Sequence, residues 1–147
     1  MQKITPFLWF DTQAEEAMNF YTSVFRNAKP GKVVRNGDKV LTASFELEGL
    51  EFTALNGGPQ FKFTEALSLF VDCKDQAEVD YYWEKLTADG GSESECGWLK
   101  DKYGLSWQII PEVLPRLLSG PSAGPVMQAM FKMKKIVVAD LEAAAKG

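Results

Sequence analysis

The sequence predicts an α+β fold: two β-α-β-β-β units forming a curved mixed sheet, a half-open barrel with helices on one side, plus a short helical C-terminal tail. Three observations carry this. Apolar periodicity changes from strand-like to helix-like twice, near Gln13 and near Gln76. The two junctions overlay, because Phe10-Asp11-Thr12-Gln13-Ala14-Glu15 resembles Val71-Asp72-Cys73-Lys74-Asp75-Gln76-Ala77-Glu78, sharing the Gln-Ala-Glu that opens each helix, with two residues more in the second copy. After each helix, short alternating runs separated by Asn-Gly and Gly-rich turns read as hairpins.

Each element follows from local chemistry. Residues 3–10 are aromatic and extended, with Pro6 ruling out a helix interior. Thr12 and Glu15 have the spacing of a capping box, and Ala14, Ala17, Met18, Tyr21 and Phe25 recur at helical intervals, so a helix is expected over 13–26 that ends before Pro30-Gly31. Val33 to Arg35, the turn Asn36-Gly37 and Val40 to Glu48 make a hairpin; in its longer strand Leu41, Ala43, Phe45 and Leu47 share one face. Leu50 to Asn56 is the next strand, closed by Gly57-Gly58-Pro59. Ala66 to Cys73 begins the second unit, and Asp75 with Glu78 caps a helix over 76–88 whose stripe is Val79, Tyr82, Trp83 and Leu86. The hairpin from Cys96 to Pro111 completes that unit, with Leu105, Trp107 and Ile109 on one side and Ser106, Gln108 and Ile110 on the other. One domain is expected over 1–147: unit one about 1–58, unit two about 61–111, and a tail over 112–147 whose segments, broken at Gly120-Pro121 and Gly124-Pro125, lack a core of their own and lie against the domain or a twin.

Composition narrows the function. With 147 residues the chain buries about two thirds of its unfolded surface and needs no disulfide, so Cys73 and Cys96 read as a core thiol and a turn thiol. There is no histidine, which removes imidazole bases, Ser-His-Asp and Cys-His nucleophiles, and imidazole metal sites. A net charge of -4 with interspersed signs argues against nucleic acid and against an anionic membrane surface. Neither a long apolar run nor a leader-like start is present, so a cytoplasmic protein is expected.

The sheet face away from the helices is either solvated, as in many antiparallel sheets, or the lining of a ligand cavity. Gln108, an amide among apolar neighbours, needs a partner, water or ligand there. The cavity reading makes Leu8, Phe10, Asn56, Ser68, Phe70, Ser106 and Gln108 the lining, with Phe61, Phe63 and Trp98 at the mouth. Asp101 and Lys102 read as a solvated pair in the turn. Met127, Met130, Phe131 and Met133 form a stripe that covers the core or a subunit interface, or else offers an adaptable ligand surface.

The Phe10-Asp11-x-x-Ala14-Glu15-Glu16-Ala17 helix start, Asn56-Gly57-Gly58-Pro59, and Cys96-Gly97-Trp98 through Trp107-Gln108-Ile109 resemble the PhnB-like branch of the vicinal oxygen chelate superfamily. That group includes glyoxalase I, bleomycin-resistance proteins and extradiol dioxygenases, and some members carry the label 3-demethylubiquinone-9 3-methyltransferase. The resemblance covers nearly the whole chain, tail included. Its enzymes hold a divalent metal with His or Glu on the first strand of each unit and Glu on the last. These positions fall here near Pro6, near Ala66, at Gln108, and near Phe52 or Ala54, so no metal site of that type and no cofactor is expected. The resemblance implies a small-molecule binding protein or enzyme, and the tail adds the expectation of a homodimer; an imidazole-free enzyme, methyl transfer included, is the alternative. Methyl transfer is disfavoured, because neither Gly57-Gly58 nor Gly90-Gly91 lies at a strand-to-helix turn.

Overall fold

The computed structural model describes residues 2–147. The chain divides into two compact units, Met1–Lys62 and Phe63–Gly147. Unit one runs β1 (Phe7–Phe10), α1 (Ala14–Val24), β2 (Ala28–Asn36), β3 (Lys39–Leu47) and β4 (Leu50–Asn56). Unit two runs β5 (Ser68–Cys73), α2 (Gln76–Thr87), β6 (Ser92–Glu93), β7 (Trp98–Lys100) and β8 (Ser106–Pro111), followed by α3 (Val113–Leu118), α4 (Ala123–Met130) and α5 (Val138–Lys146). The strands form two open four-stranded sheets, ordered β1-β4-β3-β2 and β5-β8-β7-β6. In both, the first and last strands pair in parallel and the hairpins are antiparallel, giving the mixed α+β architecture expected.

Register makes the repeat closer than the sequence overlay. Phe7 pairs with Thr53 and Phe10 with Asn56, while Phe70 pairs with Gln108 and Cys73 with Pro111. Phe10 therefore corresponds to Cys73, and Gln13-Ala14-Glu15 falls on Gln76-Ala77-Glu78 with equal spacing. The two extra residues disappear, because they came from matching Phe10 to Val71 on side-chain type.

In unit one the apolar stripe of α1 packs on the sheet face that carries Phe45, which lies 5.9 Å from the Tyr21 ring and stacks on Phe52 at 5.4 Å. Lateral pairing puts Ala43, Ala54 and Leu8 on that same face. The expected capping box at α1 does not form. The helix has no side-chain cap from its own first turn, and the Asn56 side-chain oxygen accepts from Ala14 N instead, at 2.8 Å. At α2 the expected cap is present: Asp75 accepts from Glu78 N at 3.0 Å, and the Glu78 carboxylate reaches back to Lys74 N. Pro30-Gly31, expected to stop the helix, lies inside β2, where the ladder shifts register between Pro30 and Val33.

In unit two, α2 packs on the β7 and β8 face built from Leu99, Leu105, Trp107 and Ile109, all buried. Asp101 is not a solvated turn residue. Only 2% exposed, it accepts from Tyr103 N, Leu105 N and the Trp107 indole at 2.9 to 3.1 Å, which fixes the β7–β8 turn. The tail lies against the domain, as expected, but in doing so it also builds a small core that was not expected. Val113, Leu114, Val126, Met133, Ile136 and Leu141 bury one another around Ile110 of β8. Backbone bonds from Cys96 N to Met133 O and from Gly97 N to Lys134 O strap it to the bend before β7.

Candidate ligand site

The strand alternation that buries Trp107 turns Gln108 to the face of the second sheet away from α2. Its amide nitrogen donates to the Ser68 hydroxyl across the parallel pair at 2.9 Å. Phe70 pairs with Gln108 from β5 and Trp98 from β7, so the three side chains form one row across the sheet. Above this row lies a cleft of about 280 Å³. Phe70, Trp98, Gln108 and Ile110 line it from the sheet, Cys96 from the bend, and Leu114, Pro115, Leu118 and Met130 from the tail.

Of the residues expected at a cavity, Phe70, Trp98 and Gln108 line this cleft and Ser68 anchors the amide. Ser106 lies on the same face but is 1% exposed, and its hydroxyl has no hydrogen-bond partner among the described residues. Three residues are corrected. Leu8 and Phe10 are buried on the α1 face of the first sheet, and Asn56 turns to the same side to cap α1 while its nitrogen donates to Val40 O. The residues of β1 on the opposite face are Phe7 and Trp9, because Leu8 pairs with Ala54 and so takes the helix side. Phe61 stands edge-on to Trp9 at 4.9 Å in unit one. Asn56-Gly57-Gly58 is likewise structural there: a side chain at Gly57 would collide with the Trp9 ring, whose indole donates to Gly58 O at 2.9 Å. The residues that sequence reasoning missed are Cys96, Ile110 and the tail's Leu114, Pro115 and Leu118. Alternation from Gln108 identifies Ile110, whereas nothing local reveals the tail's contribution.

The expected metal positions do not fit a metal. By register the counterpart of Gln108 in unit one is Thr53, with Phe52 and Ala54 both buried on the helix face, which corrects the expected Phe52 or Ala54. Thr53 and Gln108 offer only neutral oxygens, and Pro6 and Ala66 have no side-chain ligand atom at all. Among the described residues no group of three or more His, Cys, Asp or Glu side chains is placed to hold a metal ion.

The cleft is electrically quiet. None of its lining residues is Asp, Glu, Lys or Arg, and burial, aided by Glu95, pushes the Cys96 thiol up, so it stays protonated at neutral pH. A larger cleft of about 610 Å³ in unit one is of a different kind, with charges that pair: Arg35 meets Glu15 at 3.0 Å along its wall. No helix among the described residues is long and apolar enough to cross a membrane.

Known proteins match in the same pattern. The sequence model of the family described as 3-demethylubiquinone-9 3-methyltransferase matches residues 2–110. The PhnB protein from Bacillus cereus is 38% identical with a TM-score of 0.70, over 75% of this chain and 99% of that one. A Pseudomonas aeruginosa protein has a TM-score of 0.66 at 18% identity, over 76% of this chain and 98% of its own. A glyoxalase/bleomycin resistance protein from Albidiferax ferrireducens has a TM-score of 0.50 at 15% identity, over 70% and 92%. These last two show the shared fold. No curated protein matches the sequence. The family match stops at Ile110, so the tail that roofs the cleft lies outside it, contrary to the expectation that the resemblance includes the tail. The paired β-α-β-β-β units and the match over residues 2–110 together establish that the chain belongs to the 3-demethylubiquinone-9 3-methyltransferase (PhnB) family, on the fold of the glyoxalase and bleomycin-resistance proteins.

Proposed function

We propose that this protein binds a small organic molecule in the cleft of its second unit and does so without a metal centre. One observation carries the reading: Gln108, clamped by Ser68, presents its amide to an otherwise apolar cleft between Phe70, Trp98 and the tail. A neutral amide orients a ligand by hydrogen bonding but takes no proton from it, and a thiol held protonated by burial is a poor nucleophile. Both features favour binding over catalysis. The alternative, methyl transfer, draws on the family description. A donor of the adenosyl type sits at a glycine-rich turn from strand to helix. Here Gly57-Gly58 is filled by Trp9, and any side chain at Gly91 would meet the carbonyls of Leu86, Thr87 and Lys100 below 3 Å.

A homodimer in the cytoplasm is the setting this reading implies. Its support is apolar surface in unit one, where Phe7 is 58% exposed on the sheet face turned away from α1. Light scattering at micromolar concentration reads the assembly, and a monomer removes that claim. The binding itself is tested by a thermal-shift screen over small metabolites, since a ligand raises the melting temperature by mass action. Gln108→Ala is expected to weaken the best hit by about 1 kcal/mol, the scale of one neutral hydrogen bond, with the unliganded melting temperature little changed. A hit that binds the variant equally removes Gln108 from the site.

A further inference from the structure

The family's matched region supplies only the floor of the cleft. Its roof is Leu114, Pro115 and Leu118 of α3 and Met130 at the end of α4, all beyond Ile110. Three features fix how this roof is held. Leu114 is 3% exposed and belongs to the tail core with Val126 and Ile136. Leu117, Leu118 and Met130 pack against that core. The Cys96-Gly97 bend, which borders the cleft, bonds through its backbone to Met133 and Lys134. At Gly97 an added Cβ would lie 2.8 Å from the Ile110 side chain and 3.0 Å from that of Ile136, so floor and roof meet there in close contact. The roof is therefore a packed part of the unit and its side chains define the cleft's height.

The interior then selects a ligand class. Its volume of about 280 Å³ lies at or below the bottom of the range of about 300–1,000 Å³ usual for ligand pockets, which suits one or two fused rings and not a long-chain molecule. With no charged side chain in the lining, an ionised ligand would gain no ion-pair partner in the cleft. Phe70 and Trp98 flank the amide and offer aromatic surface. One of the two Gln108 side-chain N–H groups donates to Ser68, and the side-chain oxygen receives no hydrogen bond from the described residues and so is free to accept one.

Resting on the function proposed above, we propose that the tail is the specificity-determining wall of the site, and that the ligand is a flat, uncharged molecule of one or two rings that gives a single N–H or O–H to the Gln108 side-chain oxygen. Indole, 1-methylindole and indole-3-carboxylate are the probes, titrated into the full-length protein and followed by the amide resonances of Phe70, Trp98 and Gln108. Indole is expected to bind about fivefold or more tightly than 1-methylindole, which has nearly the same shape without the donor, as the loss of one neutral hydrogen bond predicts. Indole-3-carboxylate is expected to bind more weakly than either. Gln108→Leu should abolish the difference between the two neutral probes while 1-methylindole still binds. For the tail, Leu118→Trp should exclude both neutral probes, and Leu118→Ala should admit the longer 2-phenylindole, which the native protein refuses. Far-UV and near-UV spectra of both variants establish that the tail remains folded, and the Ala variant carries the test if the Trp variant does not fold.

Equal affinity for indole and 1-methylindole, or a preference for the carboxylate, overturns the ligand class. Unchanged selectivity in a folded Leu118 variant overturns the role of the tail. Either result leaves the cleft a binding site as long as the probes shift the resonances of Phe70, Trp98 and Gln108. If no probe shifts them at millimolar concentration, this inference falls, and a metabolite screen with no hit that depends on Gln108 would remove the underlying reading as well.

Discussion

Cys73 illustrates how a single residue is governed by its position in the strand. It ends β5 fully buried on the helix side, and burial, together with Glu78 and Asp72, pushes its thiol up to about 12. The folded state therefore holds the neutral thiol, while the unfolded chain ionises at about 8.5. Stability is complete below that value and falls as pH rises from about 9 towards about 12. Cys73→Ala removes this contribution, so the native protein should lose up to about 1.4 kcal/mol per pH unit relative to the variant over that window, read by urea unfolding at a series of pH values. Parallel pH curves for the two proteins would refute the assignment. Parity is equally decisive at Gln108 and at Leu8. The alternation of Leu105, Trp107 and Ile109 is explicit in the sequence and placed Gln108 on the cleft side. Along Phe7-Leu8-Trp9-Phe10 every residue is large and apolar, so no alternation exists to read, and pairing with Ala54 decides.

At the scale of elements, the two helices are twins with different caps. Asp75 and Glu78 serve α2 from within its own sequence, and this was legible as a spacing. The acceptor for α1 comes from Asn56, 42 positions away in sequence, which no local pattern can disclose. Asn56→Ala should cost about 1–2 kcal/mol, as it removes both the cap and the bond to Val40 O, whereas Asn56→Asp keeps the cap oxygen and should recover part of it. Chemical denaturation of the two variants reads the difference. Identical losses in Ala and Asp would show that the Val40 bond, and not the cap, is what matters.

At the scale of the molecule, the tail turns a repeated unit into one with a roofed cleft. Gln76 is its second anchor: the side-chain nitrogen donates to Ile136 O at 3.0 Å and the oxygen accepts from Val138 N at 2.6 Å, with Lys135 paired to Asp80 at 2.8 Å beside it. The repeat gives Gln13 as the counterpart of Gln76, so the duplicated tripeptide carries a docking function in one copy only. Gln76→Ala should speed amide exchange in residues 136–146 by about tenfold, about 1.4 kcal/mol of lost local stability, while the amides of β8 exchange as before. Equal acceleration in both segments would mean that the tail and sheet open as one.

The sequence by itself determined the α+β class, the order of the strands and helices in both units, the cap of α2 and the side to which Gln108 points. Each of these rests on periodicity or spacing within about ten residues, over which backbone geometry alone dictates what faces what. Tertiary structure decided the rest: the order of the strands within each four-stranded sheet, the parity of β1, the distant cap of α1, the burial of Asp101 and the roof over the cleft. Those features depend on which strands pair and which surfaces pack, and pairing is selected by the burial available to the whole fold, a quantity that no single stretch of the chain contains.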